Sequence, residues 1–117
     1  MTASPQSPFP ADTDGGTVSL EDLHAAVEAG ACAVVDVREP HEFAAGRIPG
    51  AANLPLSSFD PDELPQGRPI VLVCQAGARS ARALQVAVAA GVTNIRHYPG
   101  GTGAWRAQGG DLEISTP

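Results

Sequence analysis

Apolar positions at Leu20, Leu23 and Val27 follow the i, i+3, i+7 spacing of one helix face and predict a short amphipathic helix. Ser19 stands where an N-cap belongs, Glu21 and Asp22 occupy the first turn at the positive end, and Gly30 takes the C′ place. Residues 32–37 (CAVVDV) form a β-branched run without polar alternation, the pattern of a strand covered on both faces. Residues 39–43 predict one helical turn, with Pro40 early enough that its missing N–H costs nothing. Gly46, Pro49 and Gly50 then break the chain before a short strand over 51–54. The stretch 55–69 carries Pro55, Pro61, Pro65 and Pro69 and reads as loop with at most a helical turn.

Residues 70–74 (IVLVC) are the strongest strand in the chain. A helix is predicted over 80–90, with Ala83, Leu84, Ala87 and Val88 on one face and Gly91 closing it, and residues 95–98 predict another short strand. Strands alternating with helices imply right-handed crossovers and a mostly parallel sheet with helices on both faces, an α/β fold. No internal repeat is visible. Residues 1–16 hold Pro5, Pro8 and Pro10 among Ser, Thr, Asp and Gly, too little apolar surface to offset the entropy of ordering. A disordered tail is expected there, with order beginning near Thr17 and one domain over 17–117.

Composition narrows the chemistry. The 117 residues allow one domain at about 100–200 residues each. With 43% hydrophobic residues a core can be buried, but one Trp, one Tyr and three Phe leave most of it to aliphatic residues and Ala. Acidic residues outnumber basic ones 13 to 7, and every basic residue is Arg. Without Lys there is no Schiff-base nucleophile and no GxxxxGK[ST] phosphate loop. A net charge of −6 without a basic stripe argues against nucleic acid as a partner. No apolar run approaches the roughly 18 residues of a membrane span, and no secretory signal opens the chain. The expected location is therefore cytoplasmic, where Cys32 and Cys74 start as thiols rather than a disulfide framework.

His24, His41 and His97 are scattered, with no CxxC or paired His spacing, so no metal is expected. Gly101-Thr102-Gly103 begins like GxGxxG, but Arg106 stands at the third glycine, so no dinucleotide cofactor is expected either.

The chemistry concentrates in Cys74-Gln75-Ala76-Gly77-Ala78-Arg79-Ser80, which reads as strand end, tight loop and helix start. In open α/β sheets ligands bind beyond the carboxyl ends of the strands, and Cys74 stands there. The loop feeds a helix N-terminus whose free N–H groups favour an anion, Gly77 permits a sharp turn, and Arg79 adds a fixed positive charge. A free cysteine is only a few per cent thiolate at neutral pH, and these surroundings should depress its pKa. The expected product is a standing nucleophile in an anion-binding cup.

That loop resembles the active-site loop of the rhodanese family of sulfurtransferases. Three further segments occur in the family's order. Val35-Asp36-Val37-Arg38-Glu39 with Glu42-Phe43 is similar to its first signature, and Gly46-Arg47-Ile48-Pro49-Gly50-Ala51-Ala52-Asn53 to its second. Tyr98-Pro99-Gly100-Gly101-Thr102-Gly103-Ala104-Trp105 is similar to its C-terminal signature. Arg47 stands where the family usually has His, a position of loop architecture. The resemblance implies a central parallel sheet of about five strands and sulfane-sulfur transfer in two steps. Cys74 attacks the outer sulfur of a small-molecule donor such as thiosulfate or a persulfide. A thiol acceptor, cyanide, or a protein acceptor then removes that sulfur. The resemblance also implies that Gln75, Ala76, Gly77, Ala78, Arg79 and Ser80 form the binding loop, their amides cradling the persulfide and Arg79 helping to hold the donor's oxyanion end.

Two rivals remain at this level. Phosphatases and arsenate reductases of the same superfamily carry a Cys-x5-Arg loop, one residue longer than the Cys-x4-Arg found here. A non-catalytic rhodanese-like module that binds a partner is the other. Elsewhere, Asp36 and Arg38 are expected to be ion-paired or loop-capping, with Glu42 as a partner for Arg38. Cys32 and Trp105 are expected to be packed in the core, and Arg82 solvated on a helix face.

Overall fold

The computed structural model of the protein describes Phe9 and residues 15–114. Helix α1 (Leu20–Ala29) starts at Ser19, whose Oγ accepts the Asp22 N–H at 3.1 Å, and stops at Gly30 in the left-handed region at φ 63°. Strand β1 (Ala33–Asp36) leads into α2 (Pro40–Ala45), which opens on a reciprocal capping box between Glu39 and Glu42. Strand β2 (Ala52–Asn53) is followed by two short 3-10 turns, Leu56–Ser58 and Pro61–Glu63, in the proline-rich stretch. Then come β3 (Ile70–Val73), α3 (Ala78–Ala89), β4 (Ile95–His97) and α4 (Gly101–Ala107).

The strands form one parallel sheet in the order β2-β1-β3-β4, with Val35 opposite Leu72 and Leu72 opposite His97. Every residue of β1, β3 and β4 is buried, which explains why the sequence shows no alternation there. Val34, Val71 and Val73 face Leu23 and Ala26 of α1, together with Ile48, Tyr98 and Trp105. On the opposite face Val35, Ile70, Leu72 and Ile95 meet Ala83, Leu84 and Ala87 of α3. The α/β architecture is the expected one, with four strands among the described residues rather than about five. Beyond β4 the chain makes a single parallel bridge, Thr17 to His97, with Val18 donating to the His97 carbonyl at 3.0 Å. Ser19 then turns it into α1, so this bridge does not extend into a strand toward α1.

The disordered tail expected over 1–16 lies mostly outside the described residues. Of its described members, Phe9 is buried beneath Arg96, whose guanidinium carbon sits 4.5 Å from the ring centroid. Gly15 donates to the Ile95 carbonyl at 2.7 Å and Gly16 accepts from the His97 N–H at 3.0 Å.

Two elements depart most from the sequence reading. Helix α3 begins at Ala78, two residues before Ser80, because the loop ahead of it is tighter than its glycine suggested. Helix α4 was not expected at all: Gly101 and Gly103 are poor helix formers and no apolar periodicity runs through them. It forms because tertiary bonds use its first N–H groups and because Trp105 is buried, its Nε1 donating to the Asp111 carbonyl at 2.8 Å. Among the described residues no helix is long and apolar enough to cross a membrane.

Candidate active site

Strand β3 ends at Val73, and Cys74 is the first residue past it, at the carboxyl edge of the sheet. The turn into α3 is made at Gly77, φ 101°, where a Cβ would also meet the Pro99 carbonyl oxygen at 2.5 Å. The loop is held from outside by α4. Thr102 donates its backbone N–H to the Cys74 carbonyl at 2.8 Å, and Gly103 donates to the Gln75 carbonyl at 3.1 Å. Gly101, φ 64°, lies so close that a Cβ there would run into those same carbonyls. A trans peptide points its N–H opposite its C=O, so fixing the Gln75 carbonyl toward α4 turns the Ala76 N–H the other way, toward the sulfur.

Cys74 is buried, and its Sγ accepts from the Gly77 N–H at 3.0 Å and the Ser80 N–H at 3.3 Å, with the Ser80 Oγ at 3.6 Å. Burial raises the thiol pKa, but the Ser80 hydroxyl and the amides of Ser80, Ala76 and Gly77 outweigh it. The net effect holds Cys74 below the ordinary thiol value. Of the loop residues singled out from the sequence, Ala76, Gly77 and Ser80 converge on the sulfur. Gln75 does not: its carbonyl is bound to α4 and its Oε1 accepts from the Thr102 hydroxyl at 3.0 Å. Ala78 forms the first turn of α3.

Arg79 is engaged elsewhere. Its Nη1 and Nη2 donate to the two oxygens of Glu42 at 2.7 and 3.0 Å, a bidentate pair. The pairing of Glu42 with Arg38 expected from the sequence is therefore replaced. Arg38 curls back onto Asp36, donating from Nε at 3.0 Å and Nη2 at 2.7 Å, and its Nη2 also reaches the Gly46 carbonyl at 2.7 Å. The physical reason is burial: Asp36 is fully buried and needs the nearer cation, while Glu42 at the α2 N-terminus faces α3.

The Arg79 bond, partly opposed by burial, lowers the Glu42 pKa from its ordinary 4.5 to about 2. A depressed folded-state pKa means the pair stabilises the protein above pH 4.5 and loses that contribution as pH falls toward 2. Side-chain exposures of 35% and 26% mean solvent screens the pair, so its worth is about 0.2–1 kcal/mol. Glu42→Gln is expected to lower the urea midpoint at neutral pH and to differ less from the parent at pH values below 4.5.

Behind Ser80 stands a residue that sequence reasoning weighed only as a metal ligand. His97 of β4 is buried, with Nδ1 2.9 Å from Ser80 Oγ, and burial lowers its pKa. Ser80 Oγ also lies 3.2 Å from the Gly77 carbonyl oxygen, within hydrogen-bond reach. No spacing in the chain signals this contact, because it needs β3, α3 and β4 brought together. Among the described residues no cluster of His, Cys, Asp and Glu is suited to a metal ion.

Cys32 packs on the α1 side of the sheet, and burial pushes its thiol pKa up. It lies at the opposite end of the parallel β1–β3 pair from Cys74, since Ala33 faces Ile70 and Asp36 faces Val73. Arg82 is exposed on α3. A cavity of about 270 Å³ opens beside the loop, lined by Arg38, Glu42, Gln75, Thr102, Gly103 and Arg106 among others. A larger one, about 370 Å³, lies at the far end of the sheet near Arg68 and Asn94, and neither cysteine lines it.

Residues 19–108 match the rhodanese-like domain family, and the chain belongs to it. It is 34% identical to the human thiosulfate:glutathione sulfurtransferase, over 76% of this chain and 91% of that protein. It is 43% identical to an uncharacterized protein of Synechocystis over 80% of this chain, and spans only 53%, about half, of that relative's length. The crystal structure of a rhodanese-related protein from Thermoplasma volcanium superposes with a TM-score of 0.76 at 29% identity, covering 84% of this chain and 97% of that one.

Proposed function

We propose that the protein is a sulfurtransferase that carries sulfane sulfur on Cys74 from thiosulfate or a similar donor to a thiol. The observation that carries this reading is the Cys74 sulfur at the focus of two backbone N–H groups and the Ser80 hydroxyl. Such a cup stabilises a thiolate, the nucleophilic form, and the same donors suit the anionic end of a persulfide. In the first step the Cys74 thiolate attacks the outer sulfur of the donor. A sulfur–sulfur bond forms at Cys74, the donor's own sulfur–sulfur bond breaks, and sulfite leaves with its electron pair. In the second step an acceptor thiolate attacks the terminal sulfur of the Cys74 persulfide. The acceptor leaves as a persulfide, and the Cys74 thiolate is regenerated. Electrons balance within each displacement, so no redox cofactor enters, and ping-pong kinetics follow.

The cavity beside the loop is the route we assign to the substrates. Arg38 and Arg79 are tied to Asp36 and Glu42, so Arg106 is the wall cation with no acidic partner among the described residues. We assign it an anion-holding part alongside the one the resemblance implies for Arg79. Arg106→Ala is expected to raise KM for thiosulfate several-fold with kcat little changed, the signature of uniform binding lost.

The direct test is intact mass after brief exposure to thiosulfate. A gain of one sulfur atom, removed by cyanide, supports the reading. A gain with glutathione persulfide alone keeps the mechanism and changes the donor. No gain with either, from folded protein with Cys74 reduced, overturns it in favour of a binding module.

A further inference from the structure

Ser80 Oγ has one proton and three neighbours: His97 Nδ1 at 2.9 Å, the Gly77 carbonyl at 3.2 Å and Cys74 Sγ at 3.6 Å. A hydroxyl donates once, so what His97 does at Nδ1 decides where that proton goes. If Nδ1 is bare, it draws the Ser80 proton, and the hydroxyl turns its lone pairs toward the sulfur. If Nδ1 carries the proton, it donates to Ser80 Oγ and leaves the Ser80 proton for the sulfur and the Gly77 carbonyl. Only the second arrangement stabilises a thiolate. In a buried site with three acceptors around one hydroxyl, an extra donor is what satisfies the network.

We infer that His97 is a positioning residue: its Nδ1–H fixes the Ser80 hydroxyl so that Ser80 donates to the Cys74 thiolate. The imidazole touches neither sulfur nor substrate and acts through Ser80 alone. Burial keeps it neutral, so it contributes orientation rather than charge. Arg79 of α3 couples electrostatically to Cys74; Glu42 of α2 and Asp36 of β1 act in turn on Arg79, and Arg38 is paired with Asp36. None of them is altered in the test. The purpose of this relay rests on Cys74 being the sulfur-carrying nucleophile, but its test does not require sulfur transfer.

The experiment titrates the Cys74 thiolate by its ultraviolet absorbance in a Cys32→Ser background, so that one thiol reports. His97→Phe and Ser80→Ala are each expected to raise the Cys74 pKa, with a roughly three- to tenfold smaller thiolate fraction at neutral pH, the scale of one typical net hydrogen bond. Adding His97→Phe to Ser80→Ala is expected to change nothing more. His97→Asn, whose amide nitrogen can stand near the Nδ1 place, is expected to recover most of the thiolate. A titration unmoved by His97→Phe, or moved equally with Ser80 absent, overturns the relay. Nitrogen NMR of the unsubstituted His97 ring provides a reading free of folding defects: a protonated Nδ1 is expected, and a bare Nδ1 overturns the inference. Titrations that shift as expected in a protein that forms no persulfide would keep the relay and remove the transfer reading.

Discussion

Cys74→Ser is expected to bring sulfur transfer to the uncatalysed background, while Cys32→Ser keeps most of the parental rate. The cup lowers a thiol pKa far enough to matter because a free thiol already titrates near neutrality, at about 8.5. The same hydrogen bonds leave a serine hydroxyl protonated, since its ionisation lies far above any pH at which the protein is folded. The oxygen also lacks the soft, polarizable character that lets one sulfur displace another. Cys32, at the other end of the β1–β3 pair and with its pKa raised by burial, has no such surroundings. Steady-state rates with thiosulfate and cyanide, on variants shown to be folded, check the pair. Equal loss in both would remove Cys74 from the centre of the site.

Asp36→Asn is expected to be the most destabilising of the conservative substitutions near the site, by roughly 3–5 kcal/mol, because it leaves a buried guanidinium without its counter-charge. Asp36 is fully buried and Arg38 is 5% exposed, so water cannot replace the lost carboxylate. The pair also ties β1 to the turn after α2 through the Arg38 bond to the Gly46 carbonyl. Against a typical domain stability of about 5–15 kcal/mol, the loss is a large share. Denaturant midpoints measure it directly. Joint replacement, Asp36→Leu with Arg38→Met, is expected to recover part of the loss, because two apolar side chains carry no desolvation penalty.

The sequence made legible those features whose causes are local or periodic. Strands β1 and β3 stood out as unbroken β-branched runs because both faces of each are covered. Helix α1 could be placed to within a residue, since Ser19 and Gly30 mark its ends chemically. The cysteine loop was readable because a strand, a glycine turn and a helix start follow one another directly. What escaped depends on distant segments. Helix α4 owes its existence to carbonyls of Cys74 and Gln75 that no residue within it announces. Arg38 and Glu42 looked like partners because they are near in the chain, yet burial of Asp36 and the facing of α2 onto α3 reassigned both. His97 gave no signal, since its meaning lies in meeting Ser80 across two elements.

The backbone clamp of α4 on the cysteine loop also has a temporal side. Synthesis delivers Cys74 and its following helix before it delivers Thr102 and Gly103, whose N–H groups hold the loop's carbonyls in place. A growing chain that has passed Ser80 but not yet reached α4 lacks the two backbone bonds that hold the Cys74 and Gln75 carbonyls. The clamp on the loop therefore closes only after Thr102 and Gly103 have been made, so the geometry around Cys74 is completed late in synthesis.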